Sequence, residues 1–241
     1  MSENAGDGNE HAGRVRDMFA TIAGRYDLLN HLLSLNIDKQ WRRTIASEVQ
    51  KRLPVSGTAH ILDLACGTGD LSQKLFETTG SRVTGSDFCR PMLSIARRKV
   101  DANISFVEGD ALKLPFKDHS FDAVTIAFGL RNFSSVTTGL EQVTRVLKPG
   151  GWLAVLEFSK PTTPVLRPVF AFYFTRVLPL LGGIISGSKS AYTYLPNSVK
   201  SFPDQQKLAG LMKEVGLEEV SYRNLSGGIA ALHLGRKSRT I

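Results

Sequence analysis

In the stretch ILDLACGTGDLS, residues 61–72, an apolar run encloses Asp63 and ends in two glycines, Gly67 and Gly69, with Asp70 directly behind them. Glycines after a strand let a ligand approach the backbone without meeting a side chain. A dinucleotide fingerprint needs a third glycine to seat a pyrophosphate. Position 72 is Ser72 instead, and the carboxylate of Asp70 repels an anion. A ligand carrying an ammonium or sulfonium suits Asp63 and Asp70 better. Asp87 closes a second apolar run, at the distance beyond the glycine turn where a carboxylate accepts both hydroxyls of a ribose. Asp110 closes a third, with Ala111 beside it, placed to meet the edge and face of an adenine. A cationic amino-acid end, a ribose and an adenine together describe S-adenosylmethionine. Plainer roles stand beside these: Asp87 as a cap for the following helix, Asp63 as a tie for the turn.

These residues need strands to end beside one another. From residue 60 to 158 short apolar runs, HILDLA, RVTGSD, ISFVEGD, FDAVTIAF and GWLAVLEF, alternate with segments of helical period. Runs that are apolar on both faces suit strands covered from both sides. The alternation predicts an open, doubly wound, mostly parallel α/β sheet. LKPGG (147–151) stops a helix and turns the chain into the last of these strands. EEVSYRNL, SGG and IAALHLGRK read as a closing antiparallel hairpin. Upstream, Val15, Met18, Phe19 and Ile22 form a helical stripe, followed by a leucine cluster and a polar helix from about Ile37 to Arg52. Residues 159–203 break the alternation with six prolines around VFAFYFTRVLPLLGGII. The expected organisation is therefore a leader without structure over 1–13, a helical lid over 14–56, a donor-binding core over 57–158, an apolar insertion facing substrate or membrane over 159–203, and a helix with two strands over 204–241 completing the core.

Bulk properties narrow the class. The chain has 241 residues, 42% of them hydrophobic, and a net charge of +8. Its basic residues are scattered rather than clustered, so nucleic acid is not the expected partner. Cys66 and Cys89 are too few for a disulfide framework and fit a reducing cytoplasm. No zinc-ligand spacing of Cys and His occurs, and no metal is expected. Oligomeric state is left open.

DLACGTGD, the strand ending in Asp87, PFKDHSFDAVTIAFGLRNF and RVLKPGGWLAVLEFSKP together resemble the bacterial ring-methyltransferases of menaquinone and ubiquinone biosynthesis. FATIAGRYDLLNHLLSLNIDKQWR and AYTYLPNSVKSFP extend the likeness over about residues 14–237. The resemblance implies a class I methyltransferase fold, S-adenosylmethionine as donor, and a polyprenylated quinol precursor methylated on a ring carbon. That ring is a naphthoquinol (demethylmenaquinol), a benzoquinol, or both. A methyltransferase for another lipophilic or phenolic acceptor is the more distant alternative. By the same analogy Thr68, Asp87, Asp110 and Ala111 contact the donor. Many family members carry serine where this chain has Ala127, so one polar donor contact is missing or supplied by backbone.

The donor's methyl is already activated, so the protein mainly has to align it with a nucleophile. A ring carbon is nucleophilic only in the reduced quinol, the more so when an adjacent hydroxyl loses its proton. Arg131, in FGLRN, is placed to stabilise a phenolate by charge, and Asn132 to orient the ring oxygen. Arginine is a poor base; Tyr26, Asp27, His31 or a water held by Arg131 are the alternatives. Arg131 as a salt bridge fixing its loop, Tyr26 as core packing and His31 as a structural residue are the competing readings. No apolar run is long enough to span a bilayer. Residues 164–187 are expected either to line a tunnel for an isoprenoid tail or to touch the inner face of the cytoplasmic membrane, with burial as an interdomain helix or dimer surface the alternative. Tyr192, Tyr194 and Asn197 are either a pocket rim or ordinary loop packing.

Overall fold

The computed structural model describes residues 5–34, 36–54, 57–164, 166–173, 176 and 189–239. Seven strands, β1 (His60–Leu64), β2 (Arg82–Asp87), β3 (Ser105–Glu108), β4 (Phe121–Ala127), β5 (Leu147–Phe158), β6 (Leu217–Leu225) and β7 (Ala230–Lys237), form one sheet in the order 3-2-1-4-5-7-6. β1 to β5 run parallel, while β7 lies antiparallel between β5 and β6. The chain winds outward from β1 to β3, then jumps back to the other side of β1 to lay down β4. That reversal opens a crevice at the carboxyl ends of β1 and β4, where doubly wound sheets take their ligands. LKPGG belongs to β5 itself, and a register shift opposite Phe121 absorbs it.

Both faces of the sheet are covered, which is why the strands read as continuous apolar runs. Successive side chains of a strand point to opposite faces. Leu62, Leu64, Val124 and Ile126 join one buried cluster with Leu140 and Val143 of α6 (Val136–Val146) and Leu208 and Met212 of α9 (Gln205–Glu214). Ile61, Val83, Ala123 and Ala154 join the other, with Trp41, Ile45 and Val49 of α3 (Ile37–Gln50) and Leu71 and Leu75 of α4 (Asp70–Thr79). α3, expected as part of a lid, is therefore also a layer of the core. The indole of Trp41 donates from Nε1 to Ser226 Oγ at 3.0 Å, pinning α3 to the turn between β6 and β7.

Two expectations are corrected. The leader over 1–13 is not wholly without structure, because α1 (Ala5–Ile22) begins at Ala5. Val15 and Ile22 are buried, and the Glu10–Arg14 ion pair at 3.0 Å supports the turn ahead of them. Once part of a helix is held by packing, extension adds a hydrogen bond per residue without a new nucleus. The second correction concerns AYTYLPNS, which is not a loop but part of α8 (Lys189–Ser201), with Pro196 inside it. Of the apolar insertion, α7 (Leu166–Phe172) is described, whereas 174–175 and 177–188 lie outside the described residues. Among the described residues no helix is long and apolar enough to cross a membrane.

Candidate active site

At the end of β1 the chain passes through Ala65, in the left-handed region at φ 55°, and into the turn CGTG. Gly67 sits at φ 56°, and a Cβ there would find its nearest neighbour, Tyr26 Cε1, at 3.9 Å, so this glycine faces open space. Gly69, at φ 86°, does the opposite. A Cβ on it would come within 2.9 Å of Val100 Cγ1 and 3.3 Å of Ala96 Cβ. Gly69 therefore lets α4 pack against α5 (Arg90–Lys99) and the residue after it, and it lines neither cavity of the crevice.

The acids around this turn are held by the fold itself. Asp87 accepts from Gly67 N at 2.9 Å and from Cys89 N at 2.8 Å. The second bond turns the chain just ahead of α5, whose N-cap position is Cys89 and carries no side-chain cap bond, so Asp87 ties down this turn rather than capping the helix. Burial pushes the Asp87 carboxyl above the usual range, against the pull of those N–H donors. Asp63 accepts from Ser72 Oγ at 2.6 Å and from Thr125 Oγ1 at 2.8 Å. Burial raises it to about 6, with the two hydroxyls and the charge of Arg42 opposing. Asp110 is exposed and turns its own loop, accepting from Leu112 N at 2.9 Å, with Ala111 beside it.

Asp70 lines the larger cavity with its carboxylate already paired. Its carboxylate does not wait for a sulfonium: it pairs with Lys99 and lies 3.6 Å from both Arg42 Nη2 and His31 Nε2. Lys99 also bonds Asp27 Oδ2 at 2.6 Å, Asp27 accepts from the buried hydroxyl of Thr68, and His31 Nδ1 lies 2.8 Å from Asp38. This network ties α2 (Tyr26–Leu33) and α3 to the donor turn. It occupies Asp27 and His31, and neither lines a cavity.

Two cavities adjoin at the crevice. The smaller, about 100 Å³, is lined by Asp87, Phe88, Met92, Asp110, Ala111 and Asn132. The larger, about 340 Å³, is lined by Asp63, Thr68, Trp41, Phe158, Arg131 and Tyr194. Phe19, Tyr26, Ala65, Gly67, Ala127 and Phe128 belong to both and form the partition. Tyr26 meets Phe19 edge-on at 5.8 Å, and burial pushes its phenol above the usual range. Phe128, like Ala65, is left-handed, at φ 58°; strained backbone of this kind gathers where surrounding structure over-determines it, as at binding sites.

At the junction, Arg131 and Asn132 lie in the short 3-10 turn after β4. Arg131 Nη1 donates to Glu157 Oε1 at 2.6 Å and to the carbonyl of Phe128. The expected alternative, a salt bridge that fixes the loop, is thus present in a residue that also lines the cavity. Asn132 Oδ1 accepts from Tyr194 Oη at 3.0 Å, which makes Tyr194 part of the site rather than loop packing. Glu157 is not among the sequence candidates. Its signal is a lone acid at the end of a strand otherwise built to be buried, GWLAVLEF, which requires a partner elsewhere.

Residues 7–237 match the ubiE/COQ5 methyltransferase family. The chain belongs to that family. It is similar to a demethylmenaquinone methyltransferase of Deinococcus radiodurans, 47% identical with 96% of each chain covered. A ubiquinone/menaquinone biosynthesis C-methyltransferase of Geobacter sp. is 43% identical, with 95% of this chain and 98% of the relative covered. Among solved structures, a Haloferax volcanii methyltransferase in complex with the Trm112 activator superposes with a TM-score of 0.65 at 19% identity, covering 91% of this chain and 97% of that one. The fold is thus the class I, S-adenosylmethionine-dependent methyltransferase fold, and as a ubiE/COQ5 methyltransferase the chain is an enzyme.

Proposed function

We infer that this ubiE/COQ5 methyltransferase transfers a methyl group from S-adenosylmethionine to a ring carbon of a reduced polyprenylated quinol, with demethylmenaquinol as its acceptor. One observation carries the reading: two cavities share one thin wall, with a guanidinium and a carboxamide at their junction. S-adenosylmethionine fits the chain's own groups. Asp87 has lone pairs left for the ribose hydroxyls, while Asp110, Ala111, Phe88 and Met92 surround the place of an adenine. Gly67 leaves its backbone open, and Thr68 and the buried Asp63 line the larger cavity at the amino-acid end. When bound, this donor supplies a methyl already activated by a sulfonium.

The larger cavity takes the ring. Its aromatic lining, Trp41, Phe128 and Phe158, suits a flat apolar acceptor. Arg131 stabilises the negative charge on a ring oxygen in the transition state, and Asn132 orients that oxygen. Tyr26 is no base, because burial holds its phenol protonated at neutral pH; it donates a hydrogen bond or shapes the partition. Asp27 and His31 are occupied in the network beside the donor turn. A water held by Arg131 therefore takes the ring proton after transfer. The name of the more similar relative favours the naphthoquinol, and the name of the Geobacter relative keeps the benzoquinol as a second acceptor. Access from the inner face of the cytoplasmic membrane through 164–187 is consistent with Phe172, which is 64% exposed.

A methyl-transfer assay with reduced demethylmenaquinol and reduced benzoquinol analogues, each against its oxidised form, tests the reading. Turnover is expected only with the reduced rings, because an oxidised ring is electron-poor. Equal rates on oxidised and reduced acceptors contradict it.

A further inference from the structure

We propose that Glu157 is the positioning residue of methyl transfer: it clamps Nη1 of the Arg131 guanidinium and so fixes the plane in which that group meets a ring oxygen of the acceptor. The inference rests on the reading of the larger cavity as the acceptor site.

Glu157 ends β5 with a side chain 2% exposed, facing an Arg131 side chain 6% exposed. Replacing a buried ion pair by apolar residues of similar volume commonly leaves a protein as stable or more so. Stability alone thus gives no reason for a charge at the end of this strand. The geometry gives one. Oε1 accepts from Arg131 Nη1 at 2.6 Å and from Phe158 N at 2.8 Å, and Oε2 accepts from Arg131 N at 3.3 Å. The carboxylate is itself held by strand backbone while it holds both ends of Arg131. The second proton of Nη1 goes to the carbonyl of Phe128. The ring of Phe158 lies 5.4 Å from the guanidinium carbon. With Nη1 saturated and one face covered, the planar group has little freedom left.

Arg131 Nε is buried and has no partner. A buried donor left unmade is costly and rare in native structures. With no open surface, that nitrogen is out of the acceptor's reach, so Arg131 meets the larger cavity through the rest of its side chain. Among the described residues, the titratable groups facing Arg131 besides Glu157 from β5 are Tyr26 from α2 and Tyr194 from α8, both held neutral by burial. Neither can replace the carboxylate in holding Nη1. Glu157 acts through Arg131 and does not touch the ring.

The experiment compares Arg131→Ala with the isosteric Glu157→Gln, using reduced demethylmenaquinol as acceptor, and follows the Arg131 Nε–H resonance in wild-type enzyme. Glu157→Gln is expected to lower kcat 10- to 100-fold while the Kd for S-adenosylmethionine stays within twofold. In the wild-type chain the Nε–H resonance, assigned by its loss in Arg131→Ala, is expected to move when reduced acceptor binds. If Arg131→Ala keeps wild-type kcat, the acceptor-site reading itself falls. If Arg131→Ala is slow but Glu157→Gln turns over normally, or weakens donor binding as much as it slows turnover, only the positioning role is overturned. The resonance decides even if Glu157→Gln fails to fold: an Nε–H unmoved by acceptor overturns the proposal.

Discussion

The two cavities share a wall but are built differently. The smaller is made mostly from the ends of β1, β2 and β4 and the loop after β3, which the sheet itself sets side by side, with Phe19 of α1, Tyr26 of α2 and Met92 of α5 closing it. Its acid, Asp87, is fixed by two backbone N–H groups, so its geometry is settled before a ligand enters. The larger draws its lining from Met18 of α1 to Ile229 beyond the last turn, and its polar corner depends on side chains from three separate elements. One cavity is a property of the sheet's ends. The other is a property of how helices were later laid over them.

On the wall of the larger cavity, the buried Asp63 carries a cost in stability for being held ready. Its carboxyl is raised by burial from 3.8 to about 6. A raised acid binds its proton more tightly in the folded chain, so its contribution is fully present below pH 4 and is lost as pH rises through about 6. A rise of that size is worth about 3 kcal/mol. Denaturation of Asp63→Asn beside the wild type, without donor, should show the variant gaining by about that amount between pH 4 and 7; parallel curves would break the comparison. Next in size, Asp87→Ala removes a charged acceptor from the donor side, where such bonds contribute about 1.5–3 kcal/mol. Donor binding measured by calorimetry should weaken roughly 10- to 100-fold, and an unchanged Kd would remove the ribose assignment. The smallest effect belongs to the acceptor half. Tyr194→Phe deletes one neutral hydrogen bond to Asn132, worth about 0.5–1.5 kcal/mol. It should lower kcat a few-fold and leave donor Kd alone; a matched loss in both would mean the two halves are not separable at this corner.

The same contrast explains what can be read from the chain alone. The alternation of apolar runs reveals β1 to β5, and the SGG turn reveals the closing hairpin, because period and turn chemistry are local signals. Asp63, Gly67, Asp87, Asp110 and Ala111 can be proposed for the same reason, since each sits at or just beyond a strand end. The packing role of Gly69 is not legible because spacing cannot tell a glycine that admits a ligand from one that admits Val100. The pairing of Asp70, which lines the larger cavity, is not legible because its partners, Lys99 on α5 and Arg42 on α3, meet it only through tertiary packing. Glu157 is missed on the same account, as its partner Arg131 lies on another loop. The start of α1 is misplaced because glycines and acids look like a flexible leader until Val15 and Ile22 find a surface to cover.

The partition of Phe19, Tyr26, Ala65, Gly67, Ala127 and Phe128 has a consequence for how this enzyme can change. On the proposed placement of donor and acceptor, a substitution there is felt by both, so a new ring shape cannot be accommodated on that side without disturbing the nucleoside. The far rim, where Phe170, Tyr173 and Tyr194 meet the larger cavity, touches one reactant only. Divergence toward new acceptors has its open ground there, on helices remote from the sheet, while the shared wall stays under two constraints.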